Sequence, residues 1–288
     1  MRIYISADME GVTGLVDAHD VQPGGRDYER GRVMMTEDVN AAVRGALAGG
    51  ATQVTVNDAH GPMRNLLPDL LHPAAALIRG RPKPMGMLEC LTGEFDATVC
   101  IGYHARAGAL GVLSHSFMGH EIEDMWLDGR PAGEIGLVHA TAAALGAPVI
   151  ALSGDDAACA EMAGWDPAVT AVPVKRARDR FAAELRPPAS AREAIEHAVA
   201  GALGDASRTP APGAGTAPAP EASRAPDPRT LAVRWQSASV PSVLAGIPGV
   251  TLRDSRTSQV TGSMPDLFRL LSVFISVAAA LTGQPPYC

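Results

Sequence analysis

The sequence predicts an α/β protein with a mainly parallel sheet, helices on both faces, and a smaller α+β C-terminal part. Short β-branched runs alternate with helical periodicities through the first half of the chain. Polar clusters follow those runs directly, where the loops beyond the carboxyl ends of parallel strands would lie. From Leu231 onward the elements are shorter and of mixed type.

The elements follow in order. Arg2–Ala7 has the β-branched and aromatic content of a strand. Val33–Gly49 predicts a helix, because Val39, Val43 and Leu47 recur on one face and Gly49-Gly50 ends the run. Thr52–Val56 is a second strand leading straight into Asn57-Asp58-Ala59-His60-Gly61. Ala97–Ile101 is a third, leading into Gly102-Tyr103-His104. Asp124–Leu127 and Arg130–Ala132 flank Asp128-Gly129, a hairpin signal. Gly133 and Glu134 open a helix with Ile135, Val138, Ala142 and Leu145 on one face, closed by Gly146. Val149–Leu152 is a strand running into Ser153-Gly154-Asp155-Asp156.

Ser207–Thr230 breaks the pattern. It holds six of the 23 prolines and lacks Leu, Ile, Val, Met and aromatic residues, so it cannot bury enough apolar surface to offset its ordering entropy. The chain therefore divides into an α/β core over 1–206, a Pro/Ala-rich insertion over 207–230, and an α+β segment over 231–288 packing on the core. In that segment a strand is expected at Leu231–Trp235, a short helix at Pro241–Ala245 and a strand at Val250–Arg253. A final helix from about Met264 would take Ser263 as its N-cap and Pro265 in its first turn.

Composition narrows the function. With 47% apolar residues and only 4% aromatics, the 288-residue chain must pack a largely aliphatic core. A formal net charge of −7 argues against a nucleic-acid partner, which calls for a basic face. The four cysteines, Cys90, Cys100, Cys159 and Cys288, form no C-x-x-C pair and read as reduced thiols of a cytoplasmic protein. Asp8 and Glu10 fall where the apolar stretch of a signal peptide would lie. The apolar run Leu267–Leu281 carries Arg269 and falls short of the ~20 residues a membrane span needs.

The chemistry gathers at the strand ends. Asp8 and Glu10, two residues apart, point to the same side of an extended chain, where they repel unless a cation lies between them. The plainer alternative is a turn with Asp8 as its cap. His60 and His104 each stand just past a strand, and Glu134 opens a helix, where the helix dipole alone would also favour it. Imidazole with carboxylate suits zinc and similar borderline ions, and a thiolate-free set is typical of catalytic sites. If the five residues converge, three carboxylates favour two dications over one, with the excess positive charge neutralised by a bridging hydroxide. Such a pair generates a nucleophile near neutral pH and polarises a carbonyl. His115, alternating with serines in Ser114-His115-Ser116, is the candidate general acid/base or charge stabiliser. Asp58 could orient a ligand from behind, and Asp155 and Asp156 do the same or cap the next helix. His19, His72, His120, His139 and His197 read as surface or core histidines.

Taken together, these blocks resemble the D-aminopeptidase family of the dipeptide-transport type, which are self-compartmentalising metallopeptidases. The resemblance runs through Ser6-x-Asp8-x-Glu10-Gly11, Asn57–Gly61, Gly102-Tyr103-His104, Ser114-His115-Ser116, Asp128-Gly129, Gly133–Gly136 and Ser153-Gly154-Asp155. It implies two Zn2+ per chain, with Mn2+ or Co2+ as alternatives. Asp8 would bridge the ions, Glu10 and His104 would complete one site, His60 and Glu134 the other, and His115 would be the catalytic histidine. It implies an aminopeptidase acting on short peptides with a free N-terminal D-residue, often D-alanine, and a decameric ring of identical chains. Asp128 stands where the family pattern calls for Asn, and the 207–230 stretch is an insertion relative to compact relatives. The competing expectations are a two-metal phosphoesterase, for which Arg64 and Arg106 would supply cations, and a non-enzymatic metal-stabilised peptide-binding protein.

Overall fold

The computed structural model describes residues 1–208 and 228–283. In chain order it comprises β1 (Arg2–Ala7), α1 (Ala18–Val21), α2 (Tyr28–Ala48), β2 (Gln53–Asp58), β3 (Ala75–Ile78) and β4 (Ala97–Tyr103). Then come β5 (Ile122–Leu127), β6 (Arg130–Pro131), α3 (Glu134–Ala144), β7 (Val149–Asp155), α4 (Asp156–Trp165), β8 (Thr170–Asp179) and β9 (Ala182–Leu185). The remainder is α5 (Pro188–Arg208), β10 (Arg229–Trp235), α6 (Ser239–Leu244), β11 (Thr251–Asp254), β12 (Thr257–Gly262) and α7 (Met264–Thr282). The Pro/Ala-rich insertion expected over 207–230 lies, from 209 to 227, outside the described residues.

Seven strands form one sheet in the order β3-β2-β1-β4-β7-β8-β9, parallel throughout except for the edge strand β9. This is the mainly parallel sheet that the strand–helix alternation predicts. Residues in β1 alternate between its two faces. Ile3, Ile5 and Ala7 join the aliphatic core under α2 and α5, while Tyr4 joins the opposite core with α3, α4 and α7. Helices therefore cover both faces.

A second, antiparallel sheet has the order β11-β12-β10-β5-β6. Its β5–β6 hairpin turns at Asp128-Gly129, both with positive φ (52° and 79°), the conformation a two-residue primed turn needs. The Asp128 carboxylate ties the turn to Arg229 and also accepts from the Thr230 N–H. Strands from 122–131 and 229–262 thus share one sheet, so the C-terminal segment joins the core by backbone pairing as well as by packing.

Helix α7 starts as expected: Ser263 accepts from the Asp266 N–H and proline sits in the first turn. It is 19 residues, longer than the apolar run read from the sequence, and by length and composition alone it could cross a membrane. One face of it, including Leu267, Phe268, Leu271, Phe274 and Ile275, is buried in the core. That face gives the helix a partner without a bilayer.

The sheet also fixes where a site can form. Strand order runs outward from β1 through β2 to β3, then restarts on the other side with β4. The crevice at that reversal, beyond the carboxyl ends of β1 and β4, is where open parallel sheets bind ligands.

Candidate metal centre

The structure brings all six expected residues to that crevice. Asp8 and Glu10 leave β1, His60 follows β2, and His104 follows β4. Glu134 is the first residue of α3, and His115 sits in the loop between β4 and β5. All six are buried, and together they line a cavity of about 20 Å³, room for a water-sized occupant.

Backbone proximity explains the convergence. The loop after β1 lies directly on the end of β4, with the Gly11 N–H donating to the Gly102 carbonyl at 2.8 Å. A Cβ on Gly11 would stand 1.9 Å from the Tyr103 carbonyl oxygen, so only glycine allows the crossing. Gly102 has φ +73° and a Cβ there would meet the Asp8 carbonyl at 2.3 Å.

Two buried lysines, which the sequence reading did not single out, anchor the same loops from beneath. Lys175 on β8 donates to the carbonyls of Glu10, Val12 and Leu15 at 2.5, 2.9 and 2.6 Å. Lys83 donates to Asn57 Oδ1, the Asp58 carbonyl and the Ile78 carbonyl at 2.7, 2.6 and 3.2 Å. Each ammonium has three protons and each meets three acceptors. All these partners but Ile78 lie 25 residues or more away in sequence, so no local motif announces them. Asp58 accepts from the Asn65 and Leu66 N–H groups and from Asn65 Nδ2, and Asn65 in turn donates to the His60 carbonyl. Asp58 therefore holds His60 from behind. Asp155 caps α4 through the Ala158 N–H and also accepts from the Val112 N–H, so its role is structural.

Hydrogen bonds set the histidine tautomers. His60 Nε2 lies 2.9 Å from the Val21 carbonyl and His104 Nδ1 lies 3.0 Å from the Ala105 carbonyl. A carbonyl can only accept, so those nitrogens carry the protons. The opposite nitrogens then face the carboxylates with lone pairs, the arrangement that backbone acceptors impose on metal-binding histidines. His60 Nδ1 is 3.4 Å from Asp8 Oδ1 and 3.2 Å from Glu10 Oε2. His104 Nε2 is 3.5 Å from Asp8 Oδ2 and 3.4 Å from Glu134 Oε1. Two donors on one tetrahedral zinc, with bonds of ~2.0–2.1 Å, stand about 3.3 Å apart, which the Asp8–His60 and Asp8–His104 spacings match.

The electrostatics favour cations. Burial and the neighbouring Glu10 charge push the Asp8 carboxyl up to about 7. Burial opposes the charged forms of Glu10 and Glu134 too, but the facing histidines, His60 for Glu10 and His104 for Glu134, pull both below their usual range. Burial opposes protonation of His60 and His104, and the carboxylates outweigh it, so both are pushed well up; a bound cation would take the place of that proton and leave the facing nitrogens as lone-pair donors. Asp8 Oδ2, Glu10 Oε2 and His104 Nε2 are buried with no hydrogen-bond partner. Such atoms are costly unless something else satisfies them. Asp8, Glu10 and His104 lie mutually within 4.8 Å, as do His104, His115 and Glu134.

His115 differs from the other two. It stacks on His104, ring centroids 4.2 Å apart and planes at 8°. Its Nδ1 faces the Leu113 carbonyl at 2.8 Å, leaving Nε2 with the lone pair. Burial and the adjacent His104 hold it below the usual imidazole range, so it is neutral near pH 7. Leu113 and Phe117, on either side, both adopt positive φ (51° and 56°), a rare conformation for such residues. The Phe117 N–H donates to Glu134 Oε1 at 2.7 Å, tying this loop to α3.

A family model for D-aminopeptidases matches residues 1–273. The chain belongs to the D-aminopeptidase family. It is 41% identical over 203 residues to a D-aminopeptidase of Bacillus subtilis (strain 168), covering 70% of this chain and 74% of that one. Its fold superposes on the zinc-dependent D-aminopeptidase DppA from Bacillus subtilis, a self-compartmentalising protease, with a TM-score of 0.87 and 33% identity over 96% of this chain and 98% of the other. Membership of this D-aminopeptidase family agrees with the resemblance carried by the sequence blocks, and with the enzyme class expected of them.

Proposed function

We propose that the chain is a dinuclear zinc aminopeptidase that releases an N-terminal D-amino acid from short peptides. The observation that carries this is the set of orphaned, buried ligand atoms of Asp8, Glu10 and His104, in a crevice whose fold is that of a zinc-dependent D-aminopeptidase. Asp8 would bridge: its Oδ1 faces His60 and its Oδ2 faces His104. Glu10 and His104 would complete one ion's ligands, in keeping with the gathering of Asp8, Glu10 and His104. His60 and Glu134 would complete the other. Both pairs crowd one small cavity, so the shortest contacts cross between them, His60 to Glu10 and His104 to Glu134.

When bound, the ions would supply Lewis acidity and a nucleophile from water near neutral pH. The chain's own residues do the rest. Neutral His115 presents Nε2 to the cavity and can accept a proton, then return it to the leaving amine. Its stacking on His104 and its bond to Leu113 fix the ring, so little reorganisation is needed in the transition state. The phosphoesterase reading weakens, because Arg106 is turned to Asp124 at 3.5 Å and its own loop carbonyl at Ala107.

The test is metal quantification on wild type and Asp8→Ala, with D- and L-aminoacyl p-nitroanilides assayed in parallel. Two zinc ions per wild-type chain, their loss in Asp8→Ala, and D-selective release are expected. A wild type holding one ion or none would overturn the dinuclear reading. The self-compartmentalising relative supports assembly into a homo-oligomer, and the sequence resemblance implies a decameric ring, which sedimentation would test. The free thiols of Cys90, Cys100 and Cys159 support a cytoplasmic location, to be checked by fractionation.

A further inference from the structure

Beside the metal centre lie two further cavities, of about 540 and 100 Å³. Both are lined by His115, His120 and Arg180, and the smaller one also reaches Glu10. The larger has the size of a small-molecule pocket. The metal-site cavity, about 20 Å³, holds no more than a water-sized group, so a peptide with its first residue at Glu10 and His115 would extend into the adjoining space those residues also line.

Arg180 is the only Lys or Arg among the described residues lining either cavity. It forms the two-residue turn between β8 and β9 with Phe181. Its carbonyl accepts from the Leu113 N–H at 2.8 Å, which fixes the turn to the His115 loop. Its guanidinium leans over the Phe181 ring, 5.3 Å from the centroid. Its Nε is buried without a hydrogen-bond partner, and no carboxylate among the described residues pairs with it. Glu123, which lines the larger cavity, is already engaged by Arg234 and Arg256. Arg180 is half-buried and a buried Nε without an acceptor is costly, and the planar guanidinium fork matches a carboxylate.

We propose that Arg180 is the carboxylate anchor of the substrate cleft, taking the free C-terminal carboxylate of a di- or tripeptide whose N-terminal residue lies at Glu10 and His115. This rests on the aminopeptidase reading and sharpens it: free short peptides are preferred over their amides and over long chains.

The experiment compares kcat/KM of the full-length, zinc-loaded protein on D-alanyl-glycine and on D-alanyl-glycinamide, with D-alanine p-nitroanilide as a third substrate. Wild type should prefer the acid over the amide by roughly 10-fold or more, the value of a hydrogen-bonded charge pair. Arg180→Gln should bring that ratio close to one, and Arg180→Lys, which keeps the charge without the fork, should give an intermediate ratio. The ratio is internal to each protein, so a partly destabilised variant still reports on it. A wild-type ratio near one overturns the assignment even if no variant folds. An undiminished ratio in Arg180→Gln overturns it as well. If wild type cleaves the p-nitroanilide but fails either of these, only the Arg180 assignment falls. If it cleaves none of the three, the aminopeptidase reading falls with it.

Discussion

Each of the three site histidines gives one ring nitrogen to a backbone carbonyl, and this decides what the other nitrogen can do. For His60 and His104 the free nitrogen faces carboxylates, so both suit metal binding; for His115 it faces the cavity. His115→Ala is therefore expected to keep both metal ions while kcat falls by about 100-fold or more, the usual worth of a positioned acid/base group. Metal analysis and steady-state kinetics on the same sample check this, and a variant that loses metal would make His115 a ligand instead. Lys83 yields a pH prediction. Burial, only partly offset by Asp58, lowers its ammonium from 10.5 to about 8. Between those values the unfolded chain binds more protons than the folded one, so this group's contribution to stability rises with pH from about 8 to 10.5 and is flat below. Denaturant titrations should show wild type gaining stability over that window relative to Lys83→Met. A difference that stays constant with pH would show that Lys83 titrates normally.

At the scale of elements, the site depends on two strand ends touching. Gly11→Ala should force β1 and β4 apart, because backbone cannot yield to a 1.9 Å approach as a side chain could. The expected result is lost metal binding with a destabilisation of several kcal/mol, read by zinc content and by chemical unfolding. Local signals made most of these elements legible. β1 coincides with its expected range, the Asp128-Gly129 hairpin forms where its turn residues stand, and α7 begins at its Ser263 cap. The five proposed metal ligands were legible because each stands just beyond a strand or opens a helix. β8 was not, because its alternation fails: Val174 and Lys175 are both buried, next to a register shift opposite Gly154 and Asp155. Lys175, Lys83 and Arg180 escaped notice for a related reason. They act across long sequence separations, on carbonyls or into a cavity, and nothing beside them in the chain marks a partner.

For the molecule as a whole, the proposed metal ligands follow β1, β2 and β4 or open α3, spread over more than 120 residues and lying on both sides of the point where strand order reverses. Ions held there would act as rivets through the seam of the sheet. An unfolded chain cannot assemble that ligand set, so each ion bound adds to folding stability by mass action, about 2.7 kcal/mol at a free concentration 100 times Kd. Chelation should lower Tm by several degrees, and added zinc should restore it; a Tm indifferent to chelator would mean the seam holds without them. The same rivets make metal supply a checkpoint on the protein's own lifetime. A cell short of zinc would hold not an idle enzyme but a looser one, open at the crevice and readily degraded, so activity and abundance would fall together.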